Sequence, residues 1–482
     1  MPSQTRKITF DTIILFSGKV LGLLLGMVRL NYLSRYLGVS NFGILNFALY
    51  FCSLFQVLFD LGIAQLLIRD VSRDLSRSSE FVGKATALKG IIVFIAGLSV
   101  GIVGAASHFA HVTNMAILLT AVVFAINGIS TVFLAAFQAH RKMTIVSLYN
   151  LLNDLALSVL VIFFIGTYPY VNTVLTFNIV VAFGNLLLLF VIYWKQVALP
   201  KFEFDKIFWK ELLRAGTPIA VSSLGISMYM FIGPTVLKYT RGDFEVGLFS
   251  AGYKIISILT LIPMTLSQVV YPIFSNFYAT AKEKLQKALA DSLRVIAQIS
   301  VPLGVGTVII APKIMALLYP PTFQDATIVL QVIICGDAMV YLGWIIYAFL
   351  LALDRQKICM TISLIGAAAA IIINLLLVPR FGYVGAAYAT ACIDIFLFVS
   401  YVYSSWRAGY TIGRLSSFLK IIAAGAIMGI VLLFTSRLNL FMDIFLGAVV
   451  YFVALYAMSG FGDQEKEFLG KIFQLRRVMG LE

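Results

Sequence analysis

DTIILFSGKVLGLLLGMVRLNYLSRYLGVSNFGILNFALYFCSLFQVLFDLGIAQLLI (residues 11–68) holds two long apolar runs joined by a short polar turn around RYLGVSN. A helix needs about 20 apolar residues to cross the hydrocarbon core of a bilayer, and each run is long enough. Working outward, the same pattern recurs to the end of the chain. It gives fourteen runs, at about 11–33, 42–68, 88–106, 113–137, 145–165, 171–193, 216–237, 246–274, 294–312, 326–352, 358–378, 384–403, 417–435 and 441–460. The expected fold class is an all-α integral membrane protein with about 14 transmembrane helices. Composition agrees, at 61% hydrophobic and 12% charged.

The positive charge sets the orientation. Of the 36 Lys and Arg, about 27 fall in every second gap and about 6 in the others, leaving Lys19, Arg29 and Lys254 inside runs. Lys/Arg excess marks cytoplasmic loops. The chain is therefore expected to sit in the cell (inner) membrane with both termini cytoplasmic. A net charge of +14 spread over many loops orients helices and forms no single patch for nucleic acid. No cleavable signal peptide is evident, because the first run is long enough to span and no small-residue cleavage site follows it. Cys52, Cys335, Cys359 and Cys392 have unrelated spacings inside apolar runs and read as packing residues.

No loop approaches the size of an independent domain, so function must lie within the bundle. The segment KFEFDKIFWKELLR (201–214) is amphipathic and reads as a helix on the cytoplasmic surface linking two halves; Lys282–Arg294 reads the same way. RYLGVSNFG (35–43) resembles KYTRGDFEVG (238–247), and LAAFQAHRKM (134–143) lines up with FLLALDRQKI (349–358), placing Lys142 over Lys357. Six runs separate the partners, so the halves share one orientation and form a parallel repeat. The expected organisation is an N-lobe over 1–200, a C-lobe over 201–410, and two further helices with a tail over 411–482.

Charge in hydrocarbon costs from about 2.5 to over 10 kcal/mol, so each buried charge needs a partner, a wet cavity or a route to the interface. At 100° per residue, Gly18, Gly22, Gly26, Lys19 and Arg29 share one face of the first span. The glycines can serve close packing while the cations snorkel, or the face can line a central cavity. Asn46, Ser53, Gln56 and Asp60 cluster on the second span, Ser147, Asn150, Asp154 and Ser158 on the fifth, and Ser250, Lys254, Ser257 and Gln268 on the eighth. Asp337 and Asp394 stand nearly alone on the tenth and twelfth. The Asn and Ser members read as interhelical glue. Each Asp is either structurally paired or a contact for substrate or ion, and Asp60 has Arg69 as a candidate surface partner. No nucleophile–base set, metal-ligand spacing or phosphate loop is present, and no resident cofactor is expected.

SGKVLGLLLGMVRLNYLSRYLGVSNFGILNFALYF (17–51) followed by FDLGIAQLLIRD (59–70) resembles the opening of the polysaccharide-biosynthesis flippases, within the multidrug/oligosaccharidyl-lipid/polysaccharide export superfamily. Gly18-Lys19, Leu37 to Gly43 and Asp60-Leu61-Gly62 carry the likeness. The resemblance implies two six-helix lobes around a lumen that opens alternately to either side. Lys19, Arg29 and Lys254 would be its cations, and Asp60, Asp154, Asp337, Asp394, Asn46 and Gln56 its coupling or polar residues. The implied cargo is a polyprenyl-diphosphate-linked oligosaccharide flipped from the inner to the outer leaflet, with H⁺ or Na⁺ as candidate coupling ions and glycan polymerase machinery as a candidate partner. A cation-coupled multidrug extruder of the same superfamily is the alternative. A membrane-embedded polymerase or ligase would need a larger outer loop than any here.

Overall fold

In lipid every backbone polar group must be satisfied within its own segment, and the described residues meet that demand with helices. A computed structural model describes residues 2–413, 415–435, 438–458 and 460, with side chains from residue 18 apart from those of 19, 20, 218, 219, 222, 226 and 279. Among these there is no strand. The helices are α1 (Pro2–Leu54), α2 (Gln56–Asp60), α3 (Ile63–Arg73), α4 (Ser78–Ala106), α5 (His111–Ala139), α6 (Met143–Phe164), α7 (Val171–Gln196), α8 (Lys206–Arg241), α9 (Asp243–Leu259), α10 (Leu261–Thr280), α11 (Lys282–Leu318), α12 (Thr327–Ala352), α13 (Gln356–Arg407), α14 (Leu415–Phe434) and α15 (Leu440–Ala457). Among the described residues eleven stretches are long and apolar enough to cross a membrane. Two of them, in α1 and α13, are each broken in two by a glycine, and α8 adds the crossing that restores the fourteen expected. Phe94, Phe163, Phe434 and Phe441 are among many large apolar side chains left exposed. In a soluble protein so large an apolar surface would be a liability, whereas here it faces lipid.

The breaks fall where the repeat was read. Gly38 inside α1 (φ 71°, ψ 174°) and Gly242 between α8 and α9 (φ 89°, ψ −171°) both take conformations that only glycine enters without strain. Gly382 turns α13 similarly (φ 59°, ψ −138°). The second pairing needs a correction. Arg141 and Asp354 are the left-handed residues after α5 and α12 (φ 57° and 58°). The amides of Lys142 and Arg355 donate to Phe137 O (2.9 Å) and Leu350 O (3.0 Å), closing the same C-terminal motif. Lys142 therefore corresponds to Arg355, two residues before Lys357.

Two other expectations change. The second span is interrupted at Phe55 and again at Leu61–Gly62, both left-handed (φ 50° and 72°), so that Asp60 ends α2. The amphipathic segments are not separate surface helices. Residues 206–214 are the first turns of α8, and Lys282–Arg294 the first turns of α11, each running on into the span that follows.

The chain forms two compact units. The first comprises residues up to Ala251 with Leu318–Phe323 and Ala367–Ala386. In it α1 packs along α6, and α5 packs against α4 and α7. Leu66, Val71, Leu88, Phe133, Phe137, Tyr193 and Leu212 fill its core near the basic loops. The segment before α8 is strapped onto α4. The Lys201 amide donates to Ser79 O (3.1 Å), Trp209 Nε1 to Lys84 O (3.0 Å), and Lys84 Nζ meets both Glu80 and Asp205 at 2.8 Å. A Cβ at Gly83 would overlap the Lys201 carbonyl, so glycine is required there.

The second unit comprises Gly252–Leu317, Gln324–Gly366 and residues from Ala387 onward. Phe274 of α10, Leu289 of α11 and Phe349 of α12 anchor one core. A second core joins α14 and α15 to α11, where Gly425 and Gly429 admit Val301 and Val305. Lys313 pairs with Asp443 and donates to Leu438 O (2.9 Å), fixing the last two helices to α11.

Candidate functional site

In the first unit the glycine face of α1 lies on the polar stripe of α6. A Cβ at Gly18 would come within 2.6 Å of Ser147 Oγ, and one at Gly22 within 2.7 Å of Asp154 Oδ2. Ser158 Oγ donates to Leu25 O at 3.3 Å. These two glycines thus serve close packing. Gly26, on the same face, has nothing within 4 Å. Beside it Arg29 reaches Asp154 with Nη2 to Oδ1 at 3.4 Å and Nη1 to the main-chain carbonyl at 3.3 Å. Both side chains stay partly open, at 23% and 33% exposure. The arrangement is a loosely held guanidinium with unused N–H groups next to open space. Such a group can meet a phosphate bidentately. Lys19 lies in α1, but its side chain is outside the described residues.

Asp60 does not pair with Arg69, whose Nε instead meets Asp70 Oδ1 at 2.7 Å. The partner of Asp60 is Lys89 of α4, with Nζ to Oδ1 at 2.6 Å and Nζ to the Asp60 carbonyl at 3.2 Å. Lys89 is fully buried and Asp60 about one-third exposed, at 32%. One ammonium thus neutralises the carboxylate and also satisfies a carbonyl freed where the helix breaks. Lys89 was tallied with the loop charges although it is the second residue of the 88–106 run. The apolar run GIIVFIAG directly after it is the signal that it belongs to a helix. Asn46 is buried and returns its amide to Phe42 O (2.8 Å) within its own helix, not across to another. Gln56 is exposed at the start of α2.

Lys238 was also missed. It is 8% exposed, pairs with Asp243, donates to Thr113 Oγ1 at 3.2 Å and sits over the Phe47 and Phe109 rings at 5.5 and 5.6 Å. Hydrogen bonding, charge and ring faces together make it a fixed structural cation. In the second unit Lys254 is half-buried on α9. Asp337 of α12 is buried and accepts from Thr260 Oγ1 at 3.2 Å, where α9 gives way to α10. Asp394 is fully buried in α13. Among the described residues no three His, Cys, Asp or Glu side chains come together as a metal group.

The comparisons with known proteins agree with this architecture. A sequence model described as polysaccharide biosynthesis protein matches residues 8–278, more than half of the 482-residue chain. A second, MatE, matches 218–376. Among curated proteins, the "Probable low-salt glycan biosynthesis flippase Agl15" of Haloferax volcanii is 23% identical over 240 residues, 48% of this chain and 51% of that protein. The "Probable flippase AglR" of the same organism is 25% identical over 263 residues, 50% and 53% respectively. The chain thus spans about half the length of these relatives. Among solved structures, "Lipid II flippase MurJ, inward closed conformation" superposes with a TM-score of 0.77 at 15% identity, over 92% of this chain and 98% of that one. At that identity the likeness speaks for the fold.

Proposed function

The chain belongs to the polysaccharide biosynthesis protein family, and from that premise we propose that it is a membrane transporter, not an enzyme, that flips a lipid-linked glycan. The cargo on this reading is a polyprenyl-diphosphate-linked oligosaccharide, moved from the inner to the outer leaflet by alternating access between lobes 1–200 and 201–410. The basic loops are cytoplasmic, as are both termini. The observation that carries the reading is Arg29, partly open beside the bare face of Gly26 and held by Asp154 through bonds of 3.3 and 3.4 Å. An unassisted diphosphate in hydrocarbon faces the desolvation cost of a buried charge. A partly exposed guanidinium that can exchange between carboxylate and phosphate lowers that cost. Lys19 and Lys254 are assigned the same role on their own helices, and the lipid tail stays in the bilayer.

The MatE match and the buried Asp337 favour a second reading, a cation-coupled extruder of organic cations. The two separate cleanly. On the flippase reading a polyprenyl-diphosphate sugar raises the melting temperature of the purified protein and cationic dyes do not. Arg29→Ala and Lys254→Ala each reduce glycan export in cells lacking the native transporter, at unchanged membrane levels. Stabilisation by dyes alone, or full export by both variants, removes the flippase reading.

A further inference from the structure

The strap over 197–205 and the first turns of α8 carry apolar and basic side chains that the fold leaves outside its core. Leu199, Phe202, Phe204 and Ile207 are exposed, the last two at 77% and 75%. Their backbone is nonetheless fixed: the Leu199 carbonyl accepts from Ser79 Oγ, and the Lys201 amide donates to Ser79 O at 3.1 Å. The next apolar residues, Phe208 and Leu212, do pack into the core. Charge is sorted in the same way. Lys84 collects two of the three acids of 201–214, Asp205 at 2.8 Å and Glu203 at 3.6 Å, and only Glu211 lies outside that cluster. Lys201, Lys206, Lys210 and Arg214 all stay exposed. At 100° per residue, Lys206, Lys210 and Arg214 share a face of α8 about 80° wide, Ile207 borders it, and Phe208 and Leu212 lie opposite. The start of α11 is equally basic but differently built. Lys282, Lys284 and Lys287 are exposed there, yet no large apolar side chain between 282 and 294 is, and Leu285 and Leu289 are buried.

We propose that 199–214 is a docking surface for anionic phospholipid in the leaflet on the side of the basic loops. Its apolar groups enter the bilayer interface while its cations meet lipid phosphates. Exposed Trp194, three residues before the strap, is of the kind that settles at that depth. A zwitterionic surface would satisfy the apolar groups alone. The engagement of Glu203 and Asp205 by Lys84 leaves an outer face that is mostly cationic, and this favours anionic head groups. Interfacial binding of this type adds apolar burial to electrostatic attraction, and the attraction is screened by salt. Asp205 also caps α8, accepting from the Ile207 and Phe208 amides at 3.0 Å. Lipid bound here therefore steadies the joint between α8 and α4. The inference needs only that the chain spans a bilayer, and it stands whatever the cargo is.

The test uses the full chain with its four cysteines replaced and an environment-sensitive fluorophore on Phe202→Cys. The protein is placed in nanodiscs of phosphatidylcholine, alone or mixed with phosphatidylglycerol. Phosphatidylglycerol should shift the emission to the blue, and high salt should reverse most of the shift. The triple variant Lys201→Gln, Lys206→Gln, Lys210→Gln should lose the shift. Lys282→Gln, Lys284→Gln, Lys287→Gln removes the same charge from the start of α11 and should keep it. Identical emission in the two lipids overturns the proposal. So does a strap variant that keeps the shift, or an equal loss in both triple variants. Melting profiles establish that each variant is folded; where the strap triple does not insert, Lys206→Gln alone is read by the same criterion, with a partial loss expected. A shift from polyprenyl diphosphate added to phosphatidylcholine, with none from phosphatidylglycerol, assigns the surface to the cargo and also overturns the proposal.

Discussion

At the level of single residues, the asymmetry of the Asp60–Lys89 pair makes a sharp prediction. Removing one partner of a buried pair costs about 3–5 kcal/mol when the other is left charged and dry. Lys89 is the dry partner, at 0% exposure, while Asp60 retains contact with solvent. Asp60→Asn should therefore destabilise more than Lys89→Met, and the double variant should recover part of the loss. Melting temperatures of the purified proteins give the order; equal effects would mean that Asp60 is as desolvated as Lys89. The same pair shows where sequence ran out. Wheel arithmetic grouped Gly18, Gly22 and Arg29 on one face and Asp154 on a stripe of its own. It could not say that the two faces meet, because periodicity describes one helix and not its neighbour. The pairing of Lys89 was hidden for a related reason: a lysine at the mouth of an apolar run shows its partner only once the preceding segment is seen to be helix.

At the level of elements, the repeat was legible because it is written in glycines whose backbone conformations few other residues adopt. Its second half was misplaced by two residues, because the turn after α5 carries Arg141 and the turn after α12 carries Asp354, with no common side chain to align. The strap before α8 illustrates tertiary control of a segment that sequence marked only as amphipathic. Hydrogen bonding from Lys84, with the Phe208 and Ile207 amides at 3.0 Å, holds the Asp205 carboxyl below its usual range. A depressed carboxyl stabilises the fold above its ordinary pKa, and that contribution fades as acid protonates it at or below about pH 4. Asp205→Asn should imitate the acid state at neutral pH by loosening 197–205. Limited proteolysis should then cut this segment faster than in the parent at pH 7, and the difference should shrink below pH 4. Equal cutting at pH 7 would show that the backbone bonds to Ser79 hold the strap unaided.

At the level of the whole molecule, the crossings were readable in the sequence, since a bilayer imposes a length on every segment. What drives the cargo depends on a quantity no single helix carries, the net charge moved per cycle. A diphosphate head group leaving a negative interior is favoured by about 2.3 kcal/mol per elementary charge per 100 mV. On the proposed route Arg29 would return to Asp154 after each release, so that the cation stays behind and the anion alone crosses. Export should then slow when an ionophore dissipates the membrane potential while the Na⁺ and H⁺ gradients are clamped. Removing the Na⁺ gradient at constant potential should leave the rate unchanged. The opposite result would assign the work to a carboxylate that takes up a cation, with the buried Asp337 and Asp394 the candidates. Replacing each with Asn and repeating the two gradient measurements would identify which one, because the coupled residue is the one whose loss abolishes the Na⁺ or H⁺ dependence.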